Sequence, residues 1–100
     1  MIKTGTRLQS QVCRTQVIVV KTSEHLQDLR AGGVPMVPFG APAQTGATAD
    51  PALMAGNVMG KRYVDEAGGE VLVTQAGDGT LSVGITALNL KEAKPLPASD

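Results

Sequence analysis

The chain has 100 residues, nine basic against nine acidic side chains, and only two aromatic residues, Tyr63 and Phe39. A domain of this length buries only about two-thirds of its unfolded surface, so we expect one domain over residues 1–100 with a modest aliphatic core. No like-charged run exceeds two residues, which argues against a nucleic-acid partner. Since a thin core gains stability from association, we expect a protein partner or a homo-oligomer.

Cys13 is the only cysteine and His25 is the only histidine. One chain therefore lacks the residues for an intrachain disulfide and for zinc, iron–sulfur or blue-copper sites, and we expect no metal and no cofactor. Residues 1–7 have no apolar core of the kind a secretory signal needs, and no apolar run is long enough to span a bilayer. These features predict a cytoplasmic protein with no membrane partner.

The first elements in the chain are predicted to be strands. A period-2 pattern of apolar residues covers Arg7–Cys13. Residues 16–21 include four consecutive β-branched side chains, which favour a strand that is central or packed on both sides. Val19 within that strand is predicted to be among the most buried residues. Residues 22–33 leave two alternatives open, a short helix capped by Ser23 or an extended segment.

The middle of the chain, residues 31–60, has one charged residue, Asp50, among four prolines and six glycines. Prolines within residues 34–39 cannot donate ladder hydrogen bonds, so an edge strand or an extended covering segment is predicted there. Residues 40–49 are small and polar, which predicts a mobile surface loop that proteases cut first. Asp50 followed by proline predicts one short helical turn, because proline suits the first helical position.

The last forty residues predict a β-meander. Its strands are expected at residues 61–65, 70–75, 80–83 and 86–90. Gly77-Asp78-Gly79 predicts a hairpin turn, Gly84 predicts a bulge or tight turn, and residues 93–100 predict an extended tail. The whole pattern indicates an all-β barrel, roll or small sandwich of six or seven short strands with at most two helical turns.

The sequence favours a binding function over catalysis. The first hypothesis is a non-catalytic binding or accessory subunit that docks a protein partner, or self-associates, through the charge-poor residues 31–60. The alternative is a β-barrel that binds a small apolar ligand, or a minor enzyme, with its pocket under residues 34–59. The candidate binding residues are Cys13, Met36, Phe39, Met54 and Met59.

No catalytic residue is predicted. Cys13 and His25 would form a nucleophile and its base only if the fold brought them together, and we interpret them as a small buried hydrophobe and a surface residue. The carboxylates of the C-terminal part are interpreted as solvated charges at turns. They are Asp65, Glu66, Glu70 and Asp78.

Overall fold

The computed structural model describes residues 2–42, 46 and 48–91. These residues form ten short strands and two 3₁₀ helices, so the mainly β prediction is confirmed. The strands are β1 (Arg7–Gln9), β2 (Gln16–Lys21), β3 (Leu29–Ala31), β4 (Val34–Pro35), β5 (Val37–Pro38), β6 (Arg62–Val64), β7 (Glu70–Gln75), β8 (Leu81–Val83), β9 (Thr86–Ala87) and β10 (Asn89–Leu90). The 3₁₀ helices are η1 (Glu24–Asp28) and η2 (Pro51–Leu53). Strands number more than the six or seven expected because several have only two residues.

The strands build two antiparallel sheets. The larger has the order β10-β6-β7-β2-β1-β5 and the smaller the order β4-β3-β8-β9. Neither sheet closes on itself within the described ranges, so the described part of the chain is not a closed barrel. Strands β5 and β4 lie at the edges of the two sheets, which confirms the edge prediction made from their prolines.

The core lies along the contact between β2 and β7. Val19 faces Val71 in the strand register and is 1% exposed, so its predicted burial is confirmed. Val17 faces Val73 in the same register, and both are equally buried. The core is aliphatic, as expected: its buried members are Leu8, Val17, Val19, Leu26, Leu29, Ala31, Val71, Val73, Leu81 and Leu88.

The predicted strand over Arg7–Cys13 is wrong in its second half, because β1 ends at Gln9. The side-chain oxygen of Ser10 accepts hydrogen bonds from the backbone N–H groups of Val12 and Cys13, both at 3.1 Å. A serine hydroxyl can replace a neighbouring strand as the partner of nearby amides. The chain therefore turns here and places Cys13 beside its own upstream serine.

The predicted hairpin at Gly77-Asp78-Gly79 is also wrong. Strand β7 belongs to the larger sheet, whereas β8 pairs with β3 and β9 in the smaller one. A Cβ atom at Gly79 would lie 2.7 Å from the backbone nitrogen of Gly32. Glycine is therefore needed at position 79, because the backbones of Gly32 and Gly79 approach closely. Strands β6–β7 and β8–β9 form two separate hairpins in place of a continuous meander.

Several other local predictions are confirmed. Residues 22–33 combine the helical and the extended alternatives, since η1 is followed directly by β3, but the predicted Ser23 cap is wrong because the Ser23 hydroxyl donates to Asp65. The Asp50 carboxylate accepts from the backbone N–H of Ala52 at 2.9 Å and caps η2. Gly84, with φ of +56°, opens the tight turn between β8 and β9. The predicted tail at 93–100 and residues 43–45 and 47 of the predicted mobile loop lie outside the described residues.

Candidate functional site

The described structure has a cleft in which polar groups lie beside an apolar wall. It has a volume of about 260 Å³ and lies between η1, the end of β6 and the β8–β9 hairpin. We call it the histidine cleft. Its lining residues are His25, Asp28, Val64, Asp65, Glu66, Val83, Gly84, Thr86, Ala87, Leu88 and Asn89.

Asp65 forms the buried part of the wall of the histidine cleft. Its side chain is fully shielded from solvent, and its Oδ2 accepts a hydrogen bond of 2.6 Å from the Ser23 hydroxyl. Its Oδ1 accepts from the backbone N–H of Ala67, two residues further along the turn. A Cβ atom at Gly69 would lie 2.7 Å from the Ser23 hydroxyl oxygen, so only glycine leaves room for this pair.

The interpretation of Asp65 and Glu70 as solvated turn charges is therefore wrong, whereas Glu66 and Asp78 are exposed as expected. For Asp65 the sequence did carry a signal. An aspartate two residues before a small residue in a glycine-rich turn can accept from the backbone, which holds the carboxylate in place. No local sequence signal predicts the burial of Glu70, which depends on its ion pairs with Arg62 and Lys91 in the folded protein.

His25 lies at the mouth of the histidine cleft, on η1. Its side chain is 54% exposed, as predicted for a surface residue, and its Nδ1 lies 3.8 Å from Oδ1 of Asp65. The next residue, Leu26, is completely buried in the core and anchors η1. His25 is thus a partly solvated polar group above a buried carboxylate.

Cys13 lies in a different cleft from His25, so these clefts do not pair the two residues as nucleophile and base. The half-buried thiol lies 3.2 Å from the hydroxyl oxygens of both Ser10 and Thr15. Partial burial acts to raise the pKa of the Cys13 thiol. The hydrogen bonds that Cys13 shares with Ser10, with Thr15 and with the backbone of Gly79 outweigh the effect of burial, so the pKa is below its ordinary value of 9.0.

The other four candidate binding residues do not line either of these two clefts. Met36 packs against the core, whereas Phe39 is 46% and Met59 66% exposed. Met54 is half-buried, and its sulfur lies near Gly32. The backbone of Gly32 also approaches Gly79, which lies against the Cys13 sulfur.

The fold therefore brings Met54 and Cys13 to the same pair of glycines. A pocket that unites all the candidate binding residues stays a prediction.

Comparisons with protein-family models, with curated proteins and with solved structures found no match for this chain. Within the described ranges, no helix has the length and apolar character required to cross a membrane. The same residues contain no group of three or more side chains placed to hold a metal ion. Any function proposed for the chain therefore rests on the clefts and surfaces of the chain itself.

Proposed function

We propose that this protein is a small binding domain and that the histidine cleft is its ligand site. The observation that carries this proposal is the composition of the cleft. The polar side chains of His25, Thr86 and Asn89 share about 260 Å³ with an apolar wall that includes Leu88. In small-molecule sites, apolar contacts supply affinity while a few polar groups fix orientation.

The buried wall of the histidine cleft is already ordered in the absence of a ligand. Asp65 is fixed by a side-chain and a backbone donor, and the buried Leu26 fixes η1. Groups that are already ordered lose little conformational entropy on binding, so a preformed site binds more tightly than a mobile one. This order supports ligand binding at the cleft.

A substitution that fills the histidine cleft tests the proposal. Ala87→Leu adds volume at an exposed, cleft-lining position of β9, whereas Ala52→Leu adds the same volume on η2, outside the cleft. Native mass spectrometry of protein purified from its host, and thermal shift against a metabolite panel, report a bound molecule. We expect binding that Ala87→Leu abolishes and Ala52→Leu preserves. An apo mass together with no thermal shift would contradict the proposal.

A second candidate function is self-association through residues 31–60. This segment exposes three large apolar side chains, Phe39, Val58 and Met59. Its one charged residue, Asp50, caps η2. A second copy would present the same segment with its single charge, and the Arg7 guanidinium lies 4.2 Å from the centroid of the exposed Phe39 ring. The net charge of zero also gives no long-range repulsion between copies.

Light scattering at micromolar concentration tests this second candidate. We expect a dimer that Val58→Asp dissociates, because a charge would then be buried at the contact. Ile85→Asp is the control, since Ile85 is 91% exposed and lies outside the segment. A monomer at every concentration, or equal dissociation by both substitutions, would argue against self-association through residues 31–60.

A further inference from the structure

We propose that the histidine cleft takes an organic cation, an ammonium or guanidinium group on a short alkyl stem. This inference rests on the proposed function of the cleft as a ligand site and adds the chemical class of the ligand. It follows from three properties of the cleft: the sign of its charge, the position of that charge and the size of the apolar wall.

The charge that lines the histidine cleft is negative. Three carboxylates, Asp28, Asp65 and Glu66, are among its lining residues, and the described part of the chain contributes neither lysine nor arginine to the lining. Arg30 neutralises Asp28 through a 2.9 Å ion pair. Asp65, by contrast, accepts its hydrogen bonds from the uncharged Ser23 hydroxyl and a backbone N–H, and its titratable neighbour is the His25 imidazole, with Nδ1 3.8 Å from Oδ1. Like charges along a low-dielectric wall concentrate a negative potential in a cleft, which attracts cations.

The carboxylates take different roles because they differ in exposure. The Asp65 side chain is fully shielded and acts through its charge from within the wall, where water screens it least. Glu66 is exposed at the cleft and is able to contact a ligand directly, whereas Asp28 is exposed but already paired with Arg30. A cation in the cleft would therefore meet the exposed Glu66 carboxylate and the charge of the buried Asp65 carboxylate beside the His25 imidazole.

The apolar part of the wall limits the size and polarity of the uncharged part of the ligand. Val64, Val83 and Leu88 line the cleft, and Leu88 belongs to the core. The volume of about 260 Å³ lies just under the lower end, roughly 300 Å³, of the range for drug-sized ligands. A short alkyl chain fits this space. Alkylamines and the side chains of lysine and arginine share this arrangement of an apolar stem and a charged end.

A matched set of probes tests the charge preference. Butylguanidinium and butylurea have nearly the same shape, but only the first is charged, and pentanoate carries the opposite charge. Titrations followed by amide NMR report binding at Gly84, Thr86, Ala87 and Asn89, which line the cleft. We expect butylguanidinium to shift these amides with at least tenfold higher affinity than butylurea, and the preference to weaken as salt is added.

The outcomes separate this inference from the proposed function. If butylurea binds the cleft as tightly as butylguanidinium, the cleft is a ligand site but the cation preference is wrong. Tighter binding of pentanoate overturns the preference in the same way. If none of the three probes shifts the cleft amides, the cation inference fails, and the proposed function then depends on the metabolite panel and the Ala87→Leu comparison.

A charge-neutralising variant supplies an independent check. Glu66→Gln removes one exposed carboxylate from the cleft, and Glu24→Gln removes an exposed carboxylate of η1 that does not line it. An exposed ion pair contributes little to binding, so Glu66→Gln should weaken butylguanidinium binding by about 1.4- to fivefold. Butylurea binding should stay unchanged, and so should both affinities in Glu24→Gln. Equal weakening of both probes by Glu66→Gln would overturn the charge argument.

The same cation could come from a free metabolite or from an arginine side chain of another protein. A capped Gly-Arg-Gly peptide distinguishes these sources in the same titration. Tighter binding of the peptide than of butylguanidinium indicates a protein side chain, and weaker binding indicates a free small molecule. Both results support the cation preference.

Discussion

Asn57 and Thr15 are 42 positions apart and are joined by a hydrogen bond of 2.7 Å from Asn57 Nδ2 to Thr15 Oγ1. The same amide nitrogen donates to the backbone oxygen of Gly79 at 2.8 Å, and Asn57 Oδ1 accepts from the backbone N–H of Gly77 at 3.1 Å. Thr15 is fully buried. One side chain thus satisfies polar groups of two segments and holds the crossing between the sheets in place.

Asn57→Ala should destabilise the protein. The substitution leaves the Gly79 carbonyl and the Gly77 N–H without their side-chain partner, and such losses cost about 1–3 kcal/mol when the groups are buried. Urea unfolding measures the change in the free energy of unfolding. Asn89→Ala, at an exposed position, is the control and should leave it within about 0.5 kcal/mol of the natural protein. Equal midpoints for both variants would show that the Asn57 contacts contribute little.

Val19→Ala should also destabilise the fold, because it removes two methyl groups from a residue that is 1% exposed. Large-to-small changes of this kind cost about 1–3 kcal/mol. Val58→Ala makes the same chemical change at a position that is 51% exposed and should have little effect. Thermal unfolding of the two variants gives the comparison. An unchanged melting temperature for Val19→Ala would mean that β2 is not central to the core.

Glu70 is predicted to make stability depend on pH. Its carboxylate is 3% exposed and is held by Lys91 at 2.9 Å and by Arg62 at 3.3 Å. The Lys91 hydrogen bond, which outweighs burial, lowers the pKa of Glu70 below its ordinary value of 4.5, and the charges of Lys91, Arg62 and Lys21 lower it further. A lowered folded-state pKa stabilises the fold above the unfolded value. This contribution is lost as the pH falls from 4.5 through the folded-state pKa.

Glu70→Gln should therefore lower the free energy of unfolding at pH 7 by roughly 1.5–3 kcal/mol, which is typical of hydrogen bonds to charged groups. The difference in free energy of unfolding between the variant and the natural protein should become smaller as the pH falls below 4.5. Urea unfolding between pH 7 and pH 3 measures both effects. Glu66→Gln, at an exposed carboxylate, should follow the natural protein throughout. A gap that stays constant with pH would contradict the role of the Glu70 charge.

Cys13 should react with iodoacetamide at lower pH than an ordinary cysteine, since the thiolate is the reacting form. The midpoint of its rate against pH should lie below 9.0 and should rise in Ser10→Ala, which removes one hydroxyl next to the sulfur. Thr86→Val removes an exposed hydroxyl on β9 and should leave the midpoint unchanged. A midpoint that Ser10→Ala does not move would assign the lowered pKa to other groups.

Some features of the fold were predictable because their cause is local. Four consecutive β-branched residues favour an extended backbone wherever they occur, and they form the central strand β2. Pro35 and Pro38 cannot donate to a neighbouring strand, so they lie at sheet edges. Asp50 caps η2 through its own side chain. In each case the residue and its neighbours in the chain contain the whole physical reason.

Other features depend on segments that are distant in sequence. Gly77-Asp78-Gly79 has the composition of a hairpin turn, but β8 pairs with β3, about fifty residues upstream, and Asn57 holds the connection. The burial of Glu70 likewise requires Arg62 and Lys91 to meet at one carboxylate. Local propensity does not choose between strand partners, because that choice depends on which faces bury apolar surface together.

The sequence by itself determined the mainly β composition, the aliphatic core, the edge strands and the exclusion of metal sites that need several cysteines or histidines. Only the tertiary structure decided which polar residues share a cleft. His25 and Asp65 are forty residues apart, and the carboxylate becomes buried only where Ser23 and the turn after β6 close around it. A charge can leave water when hydrogen-bond donors replace its hydration, and those donors come together only in the folded chain.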